Sequence, residues 1–147
     1  MTDKHMVIPA AYVIFEREDG NVLLLRRANT NYMDGMLQQP SGHIEKHEFP
    51  KAAAIREAKE EVGIDLLPED LELVHICYRL PGGERDRVDF FFRVRRWEGE
   101  PINAEPYKCS ELVWAPMNEL PEDTVPSIRK VFGYIAQGIA FSEIEES

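Results

Sequence analysis

Cysteine is scarce in this chain of 147 residues: Cys77 and Cys109 are the only two, and they lie far apart. That excludes a disulfide framework and a cysteine-built metal site. The plain reading is two buried or half-buried thiols in a reducing compartment. Basic residues are also few, with 17 Lys and Arg against 27 Asp and Glu, for a formal net charge of −10. A nucleic-acid polymer or an anionic membrane needs a basic surface, so neither is expected as a partner. A small anionic substrate stays open, because bound cations invert the local field. The four histidines, His5, His43, His47 and His75, lack the spacing of a zinc set. No apolar run reaches membrane-spanning length, and the N-terminus Met1-Thr2-Asp3-Lys4-His5-Met6 is polar. With neither signal peptide nor membrane span in view, the cytoplasm is the expected compartment. No repeat or low-complexity linker interrupts the chain, and its length suits one domain over 1–147.

Local patterns give a mixed α/β reading. Val7 to Phe15 and Val22 to Arg26 are apolar, β-branched runs around the turn signal Glu18-Asp19-Gly20-Asn21, which predicts a β-hairpin. Ala28 to Ile44 reads as loop with a short strand near Leu37–Gln39. Pro50 suits a helix first turn, Lys51 to Val62 reads as helix, and Gly63 stops it. Leu71 to Leu80 and Val88 to Trp97 read as strands joined by the turn Pro81-Gly82-Gly83. Glu111 to Ala115 reads as a further short strand. Val125 to Ala140 reads as a C-terminal helix, and Phe141 to Ser147 as an acidic tail that frays. A helix between strands, with a second helix at the end, implies a mixed sheet covered by helices.

The chemistry is concentrated in the helix. Glu57, Glu60 and Glu61 are spaced i, i+3, i+4 and project from one face. Such like charges repel, and Arg56 and Lys59 relieve only part of the repulsion. Taken alone, three helical glutamates read as a solvated acidic face. Around them, however, stands a longer pattern: Gly42, five residues, Glu48, seven residues, then Arg56-Glu57-Ala58-Lys59-Glu60-Glu61-Val62-Gly63-Ile64. That is G-x5-E-x7-R-E-U-x-E-E-x-G-U, with U aliphatic, and a chance match is on the order of one in a million over the chain.

By this box the chain resembles the Nudix hydrolases, which cleave nucleoside diphosphates linked to another group. The resemblance implies a Nudix-type α/β/α sandwich and a site for Mg2+ or Mn2+, hard cations that take oxygen ligands and substrate phosphates. It places Glu57, Glu60 and Glu61 at the metal, together with the backbone carbonyl of Ser41, which the tight loop at Gly42 turns inward. Glu57 or Glu60 is the general base. Arg56 offers a guanidinium fork that orients Glu48 or Glu57. Trp97-Glu98-Gly99-Glu100-Pro101, with Glu105 beyond it, is similar to a segment of the bacterial MutT proteins in which a distant glutamate joins the metal site; Glu111 is the competing candidate. Arg27 falls where MutT-like proteins keep a phosphate-binding arginine, and Arg79, Arg85 and Arg87 are weaker candidates for that role.

Two departures bear on specificity. The chain has Pro40-Ser41-Gly42 where many members have Pro-Gly-Gly, and Gln38-Gln39 where MutT has an acidic and then an aromatic residue. Val125-Pro126-Ser127 offers no base-reading amide, so 8-oxoguanine specificity does not carry over. Gln39 is the candidate for a base-edge hydrogen bond. The resemblance therefore implies hydrolysis of a nucleoside triphosphate, normal or oxidised, to monophosphate and pyrophosphate. ADP-ribose or nucleotide-sugar hydrolysis is the second reading, with Pro81 near a diagnostic proline. A catalytically silent nucleotide-binding module is the third, opposed by the intact box. Homodimers are common in the family, although no exposed apolar stripe is visible here.

Overall fold

In the computed structural model, which describes residues 4–146, two sheets lie between two helices. Met1–Asp3 and Ser147 are outside the described residues. The strands are β1 (Ile8–Phe15), β2 (Asn21–Arg27), β3 (Leu37–Gln38), β4 (Ser41–His43), β5 (Glu72–Leu80), β6 (Arg87–Val94), β7 (Cys109–Pro116) and β8 (Phe141–Glu145). The helices are α1 (Pro50–Val62) and α2 (Pro126–Ala136). A five-stranded mixed sheet runs β4-β1-β6-β5-β8, and a three-stranded antiparallel sheet runs β3-β2-β7.

Residues 10–15 of β1 and 22–25 of β2 are buried on both strand faces, which is why their sequences read as unbroken apolar runs. Alternate residues serve opposite cores. Ala11, Val13 and Phe15 pack with Ala53, Ala54, Ala58 and Val62 of α1. Tyr12 and Ile14 pack with Ile128, Val131, Phe132 and Ile135 of α2. One helix therefore covers each face, and the expected helix–sheet–helix layering holds.

Several expected elements need correction. The predicted β1–β2 hairpin does not form: β1 pairs in parallel with β6, β2 pairs with β7, and a single bridge, Glu16 to Val22, joins the two runs. Both strands are apolar on both faces, so each demands a covered place inside a sheet rather than a shared half-exposed ribbon. The supposed loop before α1 contains β4, which adds antiparallel to β1. The predicted frayed tail is β8, paired in parallel with β5 from Ile76–Phe141 to Leu80–Glu145. Helix α2 stops at Ala136, four residues early, where Gln137 leaves helical geometry and Gly138 turns left-handed at φ 75°. Strand β6 ends at Val94 rather than Trp97.

Helix α1 matches its expected span within a residue. Pro50 occupies the first turn, and Gly63 caps the end at φ 71° with its N–H on the Ala58 and Lys59 carbonyls. Its glutamate face looks toward β4.

Candidate active site

The Gly42–Ile64 segment folds as β4, a connecting loop and α1, and one ion-paired hub locks the three together. Arg56 grips Glu48 with both arms of its fork, Nε to Oε2 at 2.9 Å and Nη2 to Oε1 at 3.0 Å. The same guanidinium donates from Nη1 to Glu57 at 2.6 Å and from Nη2 to the His43 carbonyl at 3.0 Å. Loop, helix and strand are thereby fixed by one side chain, as the bidentate geometry of arginine allows. The Arg56 contact holds the Glu48 carboxyl below the usual carboxylate range. Glu48 and Arg56 thus sit where the sequence puts an orienting pair.

Glu57 and Glu61 form the tight carboxylate unit. Burial pushes the Glu57 carboxyl up, against the pull of Arg56. Burial pushes Glu61 further up, and the charge of Glu57 adds to it. The Ser41 backbone N–H donates to Glu61 at 3.0 Å, which brings the Ser41 backbone to the carboxylates. Gly42 is required there: a Cβ at this position would overlap the Glu57 carboxyl group. Glu60 stands on the rim with half its side chain exposed, 3.5 Å from Arg56.

The second carboxylate segment is strapped to the end of α1. Ile102 N–H bonds the Val62 carbonyl at 3.0 Å, and Ala104 N–H bonds the Glu61 carbonyl at 3.1 Å. Asn103 then donates to the Cys109 carbonyl at 2.7 Å and accepts from the Glu105 N–H at 3.2 Å. This places Glu105 close enough for its charge to raise Glu61. Glu111 is elsewhere, paired with Arg26 at 2.8 Å. Of the two candidates, Glu105 is the one brought to the site.

These groups line one cleft of about 670 Å³ between the sheets, with Ser41, Gly42, Glu57, Glu60, Glu61 and Glu105 along one side. Among the described residues no three His, Cys, Asp or Glu side chains converge on a single point. The donor chemistry nevertheless suits a hard divalent cation. Two carboxylates press together in a buried setting, a third lies nearby, and among the described residues Glu61 contacts no positive side chain. All of the donors are oxygen.

Arg27 reaches the cleft, but its guanidinium serves its own loop, with Nε on the Tyr32 carbonyl at 2.7 Å and Nη2 on Thr30 Oγ1 at 3.0 Å. Gln39 also lines the cleft; it is 1% exposed, and among the described residues neither of its amide atoms has a partner. Gln38 donates to Ser41 Oγ at 3.0 Å.

Sequence reasoning missed Asn103, Tyr12, Asp89 and Lys108, and ranked His43, Arg79 and Arg87 low as phosphate contacts. A signal existed for two of them. Arg79 and Asp89 interrupt apolar strands, and a charge inside such a run is costly unless paired. They pair with each other at 3.1 Å, both nearly fully buried.

Comparison with known proteins shows the family. Residues 6–134 match the NUDIX domain family. The 8-oxo-dGTP diphosphatase of Escherichia coli (strain K12) is 35% identical over 121 residues, covering 80% of this chain and 91% of that protein. The RNA pyrophosphohydrolase of Roseobacter denitrificans is 30% identical over 139 residues, covering 84% and 86%. The MutT NUDIX hydrolase from Burkholderia pseudomallei superposes with a TM-score of 0.78 at 22% identity, over 88% of this chain and 98% of that one, a likeness of fold.

Proposed function

The chain belongs to the NUDIX domain family as a MutT-like nucleotide pyrophosphohydrolase, and from that premise we propose that it hydrolyses a nucleoside triphosphate, normal or oxidised, to monophosphate and pyrophosphate with Mg2+ or Mn2+. The observation that carries this reading is the buried Glu57–Glu61 pair, its Glu57 held by Arg56 and Glu48, lining one cleft with Glu60 and Glu105.

In this account Glu57, Glu61, Glu105 and the Ser41 carbonyl would hold the divalent cation. When bound, the cation supplies Lewis acidity to the phosphoryl oxygens and acidifies water. Glu60 is the better-placed general base. Its carboxylate is half exposed and only loosely held, whereas Glu57 is committed to Arg56. A base must reach a water proton with an unspent lone pair. Glu60 takes that proton as water attacks phosphorus, and the phosphoanhydride bond breaks to leave monophosphate and pyrophosphate. Arg56 does not touch substrate; it fixes the direction of Glu57. Gln39 carries an acceptor and a donor side by side, the pair a base edge would use, and both are buried behind the cleft wall.

The test is product analysis by anion-exchange chromatography with Mg2+. The panel holds canonical and oxidised nucleoside triphosphates, dihydroneopterin triphosphate, ADP-ribose, dinucleoside polyphosphates and a 5′-triphosphorylated RNA. Monophosphate and pyrophosphate from one triphosphate, well above the others, is the expected result. Cleavage of ADP-ribose alone would replace this reading with the second one. Preference for the RNA would align the chain with its RNA pyrophosphohydrolase relatives, against its net charge of −10.

A further inference from the structure

The cleft contains a guanidinium that the proposed mechanism does not use. Arg79 and Arg87 are direct cross-strand partners on β5 and β6, a position where like charges repel. Arg79 is compensated: its Nε donates to Asp89 at 3.1 Å and its Nη1 to Glu146 at 2.9 Å. Arg87 is treated differently. Among the described residues its side chain makes one hydrogen bond, from Nη2 to His43 Nε2 at 2.8 Å, and no ion pair. Its Nε is buried without a partner. A guanidinium can only donate, so the histidine nitrogen is a neutral acceptor that aims the fork without pairing its charge; Asp89 feels that charge but is hydrogen-bonded to Arg79 instead.

His43 also ties Arg87 to the reaction end of the cleft. It follows Gly42 directly, and its carbonyl accepts from Arg56, the hub of the carboxylate cluster. One residue thus sets both Arg56 and Arg87. Both His43 and Arg87 line the same cleft as Glu57, Glu60 and Glu61. Arg27, the cation expected to meet phosphate, is occupied by Tyr32 and Thr30.

We infer that Arg87, aimed by His43, is the residue that grips a non-bridging phosphate oxygen of the substrate's polyphosphate chain. This rests on the phosphoanhydride reading above, which supplies the anion. Two N–H groups on one rigid fork match two oxygens of a phosphate, and the pairing is direct. His43 acts as a positioning residue.

The test is isothermal titration calorimetry with Mg2+, using two probes: inorganic tripolyphosphate and a non-hydrolysable nucleoside triphosphate. The proteins are wild type, Arg87→Gln, Arg87→Lys and Arg27→Gln. Loss of a charge-assisted contact is expected to weaken both probes by about tenfold or more in Arg87→Gln. Arg87→Lys, which keeps the charge and loses the fork, should fall between, and Arg27→Gln should stay within about threefold of wild type. An unchanged circular dichroism spectrum and Mn2+ affinity separate this loss from misfolding, and Arg87→Lys serves should the glutamine variant not fold. Wild-type affinity for tripolyphosphate in the folded variants overturns the inference, and a loss confined to the nucleotide would assign Arg87 to the nucleoside instead. A larger loss in Arg27→Gln would return the role to Arg27. A wild-type protein that binds neither probe would remove the pyrophosphohydrolase reading itself, and this inference with it.

Discussion

At the scale of single residues, the site works by crowding. Glu57 and Glu61 are pushed together in a buried setting; burial makes both harder to ionise, and the charge of Glu57 raises Glu61 further, while the Glu61 contact favours the ionised form of Glu57. Arg56 answers from one side only, through Glu57. The crowding is possible because Gly42 leaves room that any side chain would take. Gly42→Ala therefore predicts a sharp outcome. The new methyl group must displace the Glu57 carboxyl group, which Arg56 holds rigidly. A displacement of an ångström in a catalytic group costs about a hundredfold in rate. Steady-state kinetics should show kcat falling by about that factor. Activity within about threefold of wild type would mean that Glu57 has no positional role. The main outline of this site was legible in the sequence, because its parts share one helix and one short loop. Periodicity alone puts Glu57, Glu60 and Glu61 on a common face, and the fixed spacing brings in Gly42, Glu48 and Arg56. The Arg87–His43 contact was not legible. Its partners stand 44 residues apart and meet only because β4 and β6 both pair with β1.

At the scale of elements, the same division applies. Helix α1 declares itself through Pro50, Gly63 and the buried alanine stripe, so its span matches the reading within a residue. Strand β8 does not. Phe141-Ser142-Glu143-Ile144-Glu145 alternates in burial, but its inward positions are Ser142 and Ile144, only one of them apolar. A polar inward residue hides the two-residue period that marks a strand. What makes β8 a strand is tertiary: the open edge of β5, the Ser142 hydroxyl on buried His75 at 2.7 Å, and Glu146 on Arg79. Truncation after Ala140 would strip all three and leave an open strand edge and a buried arginine with one fewer carboxylate. Breaking a partly buried charge network and a buried hydrogen bond should cost about 2–5 kcal/mol in urea unfolding. It should also raise the tendency to associate through the bare β5 edge. A midpoint equal to that of the full chain would mean that the segment contributes nothing, as a frayed tail would. The hairpin expectation failed for a related reason. The turn at Glu18–Asn21 is real, but adjacency in sequence does not decide pairing when both strands need cover on two faces.

At the scale of the whole molecule, a chain of net charge −10 has to accept an anionic ligand. Uniform charge would repel it. The fold resolves this by concentrating opposite functions in one cleft: an oxygen-rich wall from α1 and the Glu105 loop, and an arginine wall from β5 and β6. The two sheets and two covering helices hold the walls at fixed separation, since both rest on β1 through separate cores. On the proposed reading, the acidic wall holds a cation and a base, and its glutamates drive turnover. Pyrophosphate release measures that directly, in wild type and Glu60→Gln, each with Mg2+, with EDTA, and with Mg2+ restored. Glu60 is half exposed, so the variant should fold as wild type does. The account predicts release that EDTA abolishes and Mg2+ restores, and a drop of about 10²–10⁴ in Glu60→Gln. Full activity in that variant, or release that EDTA leaves untouched, would contradict it.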